Sequence, residues 1–384
     1  MPSPRLLPAG LLIIGLATLS PDAHAAGGAR RALRGAAVTG TALAALATTA
    51  GPANAIPAPD PFVGSTTSQA TAQTLAPPGR AFRNKVRNEA PIAPGADPSI
   101  LTIDHGPNAG YYLVTTGNRS IRYSDDLVHW QKAGNLFRGG KLPRGAVSDF
   151  WAPSLEVQGD RFFLRYSARG TNGILRVRSA VADQVTGPYR DLGPTVPLRP
   201  GSRVGSIDAD QFVDVDGSSW LLWKSEGNPH GLPTPLMIQR LGEGGMKLEG
   251  KPHQMATNDR AWEGPIIEAP NAFRRGDFVY VSYAGHLYGR STYNVGMLRI
   301  HAPDGLRAAI RNGATWQKHD GPVADSISSR HVGMAHGDFI LDGDFFASHG
   351  WKAGRVMVDP RETIVRRVLW AHGWPQIHNS GKVD

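Results

Sequence analysis

The chain has 384 residues with 46 glycines, 30 prolines and no cysteine, which excludes disulfides, thiolate metal sites and a cysteine nucleophile. Gly and Pro together make up roughly a fifth of it, against an ordinary share of about 12%, so the composition is turn-rich and argues against a helical bundle. The formal charge of +9 is scattered, with no run of Lys/Arg interleaved with aromatics beyond short pairs such as Arg274-Arg275; a mildly cationic solvated surface is expected, and no nucleic-acid partner.

Residues 1–55 carry two signal-like patterns. The first has Arg5, an apolar stretch from Leu6 to Leu19, and Ala23-His24-Ala25. The second has Arg30-Arg31-Ala32-Leu33-Arg34, an apolar and small-residue stretch from Gly35 to Gly51, and Ala53-Asn54-Ala55. Each combines a basic region, a short apolar region and a small-x-small cleavage site, and neither stretch is long enough for a membrane span. The second resembles a twin-arginine export signal, and translation starting near residue 28 would explain the duplication. Without residues 1–55 the chain keeps 37 basic and 31 acidic side chains, a net charge of +6. Residues 56–90, rich in Pro, Ala, Thr and Ser and without apolar periodicity, are expected to be a flexible leader.

From residue 91 to 384 short β-type runs alternate with turns, which predicts one all-β domain. The runs Tyr111-Tyr112-Leu113-Val114, Phe162-Phe163-Leu164, Trp220-Leu221-Leu222-Trp223, Val279-Tyr280-Val281 and Phe345-Phe346-Ala347 each follow a turn such as Gly159-Asp160, Asp216-Gly217 or Asp342-Gly343. Each is preceded by a similar strand, and these strands begin at Asp97, Ala152, Asp208, Glu268 and His336, at intervals of 55, 56, 60 and 68 residues. A sandwich would explain the strands but not their recurrence. A period of this size built only from strands predicts a five-bladed β-propeller. Equivalent positions in successive blades ring the central channel, so three carboxylates and an imidazole are expected to share one pocket.

Competing chemistries lack their motifs: there is no H-E-x-x-H helix, no G-x-S-x-G elbow, no Walker loop and no G-x-G-x-x-G. Clustered carboxylates facing a pocket are what glycoside hydrolysis needs, one as acid and one as base or nucleophile. Glu263 is the rival acid to Glu268 but falls outside the recurring position, and Asp208 competes with Asp210, Asp214 and Asp216, the last being a hairpin residue. Asp125 and Asp126 are expected in a turn of the first blade.

The ordered set Asp97-Pro98-Ser99, Ser124-Asp125-Asp126-Leu127-Val128-His129-Trp130, Trp151-Ala152-Pro153, Ser206-Ile207-Asp208, Glu268-Ala269-Pro270 and Gly333-Met334-Ala335-His336-Gly337, followed by Arg355-Val356-Met357 and Gly373-Trp374-Pro375, resembles glycoside hydrolase family 43 over residues 91–378. The signatures of the sucrose- and fructan-cleaving propellers are missing. The resemblance implies an inverting enzyme acting on α-L-arabinofuranosyl linkages of arabinan or arabinoxylan, with β-D-xylosidase and a non-catalytic carbohydrate-binding propeller as alternatives. By position it implies Asp97 as general base, Glu268 as general acid, and Asp208 as the carboxylate that orients the acid and raises its proton affinity. Inversion places a water between base and sugar. Phe150, Trp151, His286, His336 and Arg355 are the expected substrate-binding residues, with Tyr288 and Tyr293 at the pocket rim. Ser154 departs from the family, which often has an acidic residue there. No cofactor is required and no metal ligands are assigned, although some members hold a calcium ion in the channel near the histidine that matches His336. The expected partner is an arabinose- or xylose-containing polysaccharide outside the cell, and N-terminal sequencing of the exported protein is expected to start at Ile56, whereas a start at Ala26 would show that the first pattern is the signal.

Overall fold

The computed structural model describes residues 74–378, so the export patterns and residues 56–73 of the expected leader lie outside the described residues. Five four-stranded antiparallel sheets form the five-bladed β-propeller. The innermost strands are Ser99–Ile103, Ser148–Gln158, Gly205–Val213, Ile267–Arg275 and His331–Ile340. Each turns back into an antiparallel second strand through a short connection: Ile103 pairs with Gly110, Gln158 with Arg161, Val213 with Ser219, Arg275 with Phe278 and Ile340 with Phe345.

Apolar residues from facing blades fill the spaces between them. Leu101, Tyr112 and Ile121 of the first blade meet Leu155, Leu164 and Tyr166 of the second, and Leu222 and Ile238 of the third meet Val281 and Leu298 of the fourth. The contact between second and third blades is smaller, built on Val177, Ala209, Leu221, Trp223 and Leu241. Beside it Arg165, fully buried, donates from Nε to Gln211 Oε1 at 2.9 Å, so its guanidinium is anchored by hydrogen bonds.

The ring closes through residues on the N-terminal side of the first blade. Ala93–Pro94 pairs with Thr363 and Glu362 as the outermost strand of the fifth blade, where a proline removes no ladder bond. The expected leader is corrected here: Arg80–Arg87 is a helix whose Phe82 and Val86, four residues apart on one face, are buried among Ile100, Leu113, Ile340 and Val365 at the seam between first and last blades. Phe82 meets Phe345 edge to face at a centroid distance of 5.2 Å. Two apolar residues in one helical turn are too few to produce a periodic signal, and the seam supplies the rest of the apolar contact. No helix among the described residues is long and apolar enough to cross a membrane. Phe82→Ala is expected to destabilise the protein by about 3–5 kcal/mol in chemical unfolding; a change within about 0.5 kcal/mol would show that the helix does not seal the seam.

Candidate active site

At one end of the channel the backbone takes a left-handed residue in every blade: Asp97 has φ 49°, Ala152 41°, Asp208 55°, Ala269 57° and His336 50°. In the four later blades the pairing of the inner strand breaks there, at Trp151/Ser154, Ile207/Asp210, Glu268/Asn271 and Ala335/Gly337. The recurring position in the fourth blade is therefore Ala269 and not Glu268, because the left-handed residue falls immediately before Pro270 as it does before Pro98 and Pro153. In the fifth blade that proline is replaced by Gly337, where a Cβ would lie 1.8 Å from the Ala347 carbonyl oxygen.

The bulged residues and the residues two further on line a narrow axial passage of about 20 Å³, room for roughly one water. Ser154 Oγ donates to Asp210 Oδ1 at 3.0 Å, and Asn271 Nδ2 donates to Asp210 and Asp338 at 3.4 and 3.2 Å. Burial raises the proton affinity of both carboxyls, and a third carboxylate at Ser154 would add charge to the same passage.

Above the passage, Asp97, Asp208 and Glu268 share one cavity of about 230 Å³ with His336 and Trp151. Asp97 is 7% exposed and fully hydrogen-bonded. Its Oδ1 lies 3.0 Å from Arg361 Nη1, 3.0 Å from His349 Nδ1 and 3.3 Å from His336 Nδ1, while Oδ2 accepts from Thr116 Oγ1 at 2.6 Å. Burial alone would raise its pKa, but Arg361, His336 and His349 outweigh it and hold the carboxyl well below the usual carboxylate range. His349 is pushed down to about 4, chiefly by burial and then by Arg361, so it is neutral near pH 7. Its Nδ1 faces both the Asp97 N–H at 3.2 Å and Asp97 Oδ1 at 3.0 Å, and its Nε2 lies 3.2 Å from Arg361 Nη1, so the ring is wedged between the base and its arginine. Arg361 is itself flanked by the rings of Tyr288 and Trp351, 5.1 and 5.6 Å from its Cζ.

Glu268 has donors on both oxygens: Lys224 Nζ on Oε2 at 3.0 Å and Tyr293 OH on Oε1 at 2.9 Å. Lys224 is 1% exposed; burial opposes its charge, but Glu268, Asp208 and Glu226 outweigh that and keep it an ammonium. Asp208 accepts from the Ala269 N–H at 3.2 Å, and burial, reinforced by Glu268 and Asp97 and opposed by His336 and Lys224, pushes it up to about 7.

Of the other expected residues, Trp151, His336, Tyr288 and Tyr293 line the cavity. Phe150 does not: it is 3% exposed and packs against Phe137 and Tyr166, because alternation along the strand turns it into the blade core. His286 lies over Gly264 and its ring nitrogen Nδ1 accepts from the Leu287 N–H, away from the cavity wall. Arg355 is on the surface, paired with Asp359 four residues further along a turn, and Arg361 is the arginine that reaches Asp97. Glu263 is fully buried beneath the wall, held by Lys318 at 2.6 Å and Tyr283 OH at 2.6 Å, so it is structural. Asp214 holds Arg274 and the Leu306 N–H, and Asp216 and Asp126 are turn residues as expected.

Sequence reasoning missed Arg361, His349 and Lys224. Only Lys224 carried a local signal, as a charged residue continuing the apolar run Trp220-Leu221-Leu222-Trp223, which demands a buried partner. The calcium ion considered near His336 finds no direct ligand set: among the described residues no three His, Asp or Glu side chains are grouped to hold a metal, and the positive charge beside Asp97 is supplied by Arg361.

The two aspartates respond oppositely to pH. Asp97, lowered on folding, contributes stability above its unfolded value of about 4 that is lost as pH falls through its folded value; Asp208, raised to about 7, weighs against the folded state increasingly as pH rises from about 4 through 7. Denaturant unfolding from pH 3 to 8 is expected to show Asp97→Asn most destabilising at neutral pH, and Asp208→Asn gaining on the wild type as pH rises. Parallel responses of the two variants would refute these opposite environments.

Comparisons with known proteins agree with this architecture. The extracellular endo-alpha-(1->5)-L-arabinanase 1 of Bacillus subtilis is 22% identical over 295 residues, 73% of this chain and 86% of that protein. The xylosidase/arabinosidase 43B of Humicola insolens is 27% identical over 215 residues, 51% of this chain and 37% of that protein. The crystal structure of an alpha-L-arabinofuranosidase from Lactobacillus brevis superposes with a TM-score of 0.60 at 19% identity, covering 77% of this chain and 96% of that one. Residues 89–375 match the family described as glycosyl hydrolases family 43, and with that match over most of its length the chain belongs to this family of glycoside hydrolases.

Proposed function

We propose that the protein is an inverting glycoside hydrolase that cleaves α-L-arabinofuranosyl linkages in plant cell-wall polysaccharide. The observation that carries this reading is the pairing, in one cavity, of a carboxylate held ionised with a second carboxyl in the field of a proton-retaining third: Asp97 with Arg361, and Glu268 with Asp208. Asp97, ionised throughout the working range, is the base that takes a proton from the attacking water. Glu268 delivers a proton to the departing oxygen. Asp208 orients the pair and, at about 7, keeps a proton within it near neutral pH. His336 and Arg361 fix the base, while Trp151 and Tyr288 offer ring faces to the sugar. No cofactor takes part.

The arabinofuranosyl reading is supported by relatives whose names describe arabinan or arabinoside cleavage, and export after removal of the leader near Ala55 by the extracellular B. subtilis relative. The Humicola relative, named for xylosidase as well as arabinosidase activity, keeps β-D-xyloside hydrolysis as the second reading. Wild-type enzyme is expected to hydrolyse an aryl α-L-arabinofuranoside faster than an aryl β-D-xyloside, and Asp97→Asn to lose activity by about 100- to 10,000-fold. NMR of the first-formed sugar is expected to show the inverted anomer. Retention would overturn the mechanism, and binding without turnover of either glycoside, arabinan or xylan would mark a carbohydrate-binding propeller.

A further inference from the structure

Both oxygens of Glu268 accept hydrogen bonds, and donors to a carboxylate favour its charged form, so a proton is taken up more readily when one donor turns away. Tyr293 is poorly placed to leave. It is fully buried, its hydroxyl has Glu268 as its partner, and its ring stacks on His349 at 5.7 Å and 16°. Lys224 is different. Its Nζ also lies 2.9 Å from Glu226 Oε2, two residues further along the same strand and therefore on the same face. That contact is close but poorly aligned, so Glu226 Oε2 is buried with no hydrogen-bond donor, while the aligned contact goes to Glu268. Glu226 is 8% exposed and lines the same cavity. A buried acceptor left without a donor is costly, and a small turn of the ammonium would satisfy it.

We propose that Lys224 and Glu226 are positioning residues that set how readily Glu268 holds its proton: the ammonium is shared between two carboxylates, and its turn toward Glu226 weakens its hold on Glu268 Oε2, which then takes a proton from solvent. Lys224 remains charged throughout, and the only atom that changes owner is the proton on Glu268. The inference rests on Glu268 being the acid. The charged and titratable groups around Glu268 are Lys224 from its own neighbouring blade, Tyr293 from the fourth blade, Asp208 from the third and Asp97 from the first, with His336 of the fifth acting on Asp97 and Asp208. Glu226, also from the third blade and lining the same cavity, touches Lys224 and acts on Glu268 through the shared ammonium.

Opposite shifts are the signature of this sharing. Glu226→Gln removes the competitor and commits the ammonium to Glu268, so the Glu268 titration moves down. Lys224→Met removes the ammonium and moves it up, by about 1–3 pH units for a charge at this distance. The double variant Lys224→Met/Glu226→Gln, which leaves no buried unpaired Glu226 charge, is expected to stay above wild type. Two readouts check this: carbon-13 NMR titration of side-chain-labelled glutamates, assigned with Glu268→Gln, and the alkaline limb of kcat/KM on an aryl arabinofuranoside. Shifts in the same direction, or none, in folded variants would overturn the sharing. Full activity of Glu268→Gln on both aryl and alkyl glycosides would instead overturn the acid assignment, and the NMR titration separates that failure from this one.

Discussion

Everything at this site hangs on a backbone constraint, the left-handed residue that each blade places at the mouth of the channel. An L-residue with positive φ costs about 1–3 kcal/mol in the unfavoured region, and Ala152, Ala269 and His336 have no glycine-like freedom to avoid it. The surrounding ladders hold them there. The bulge redirects each inner strand toward the axis, so side chains on either side of it serve two different spaces. Asp97, Asp208 and His336 are themselves the left-handed residues of their blades, and Glu268 enters the cavity from the residue before Ala269.

The second constraint is charge. Asp97, Asp208, Glu226 and Glu268 line one small cavity, and such a concentration of carboxylates would not survive burial without compensation. Arg361 and Lys224 supply it in different ways. Arg361 is flanked by Tyr288 and Trp351 and serves the one carboxylate that must stay ionised. Lys224 is a flexible point charge between two carboxylates, which suits a group whose protonation must change. For Asp208, burial reinforced by Glu268 and Asp97 raises the proton affinity despite His336 and Lys224.

Closure of the propeller and assembly of the base are one event. Asp97 follows Ala93–Pro94, the strand that completes the fifth blade, and its partners Arg361, His349 and His336 all belong to that blade. The helix Arg80–Arg87 covers the same seam with Phe82 and Val86. Loosening the seam would therefore remove the charge environment of Asp97 as well as apolar contact.

Turns, strand alternation and the recurrence of similar strands depend on neighbours within a few residues, so the five blades, their single domain and the residue types Asp97, Asp208 and Glu268 were legible in the amino-acid order. The same local logic misjudged Phe150, because one step along a strand reverses the face, and placed Glu268 at a position that Ala269 occupies, because a bulge of one residue is invisible in a spacing of about sixty. The family resemblance pointed to Arg355, and Arg361, six residues further on, carries no local mark. Tertiary structure alone decided the partners. Arg361 reaches Asp97 across 264 residues and Lys224 reaches Glu268 across 44, because strands from distant parts of the chain converge on one axis, where buried carboxylates take whichever cation the converging blades present.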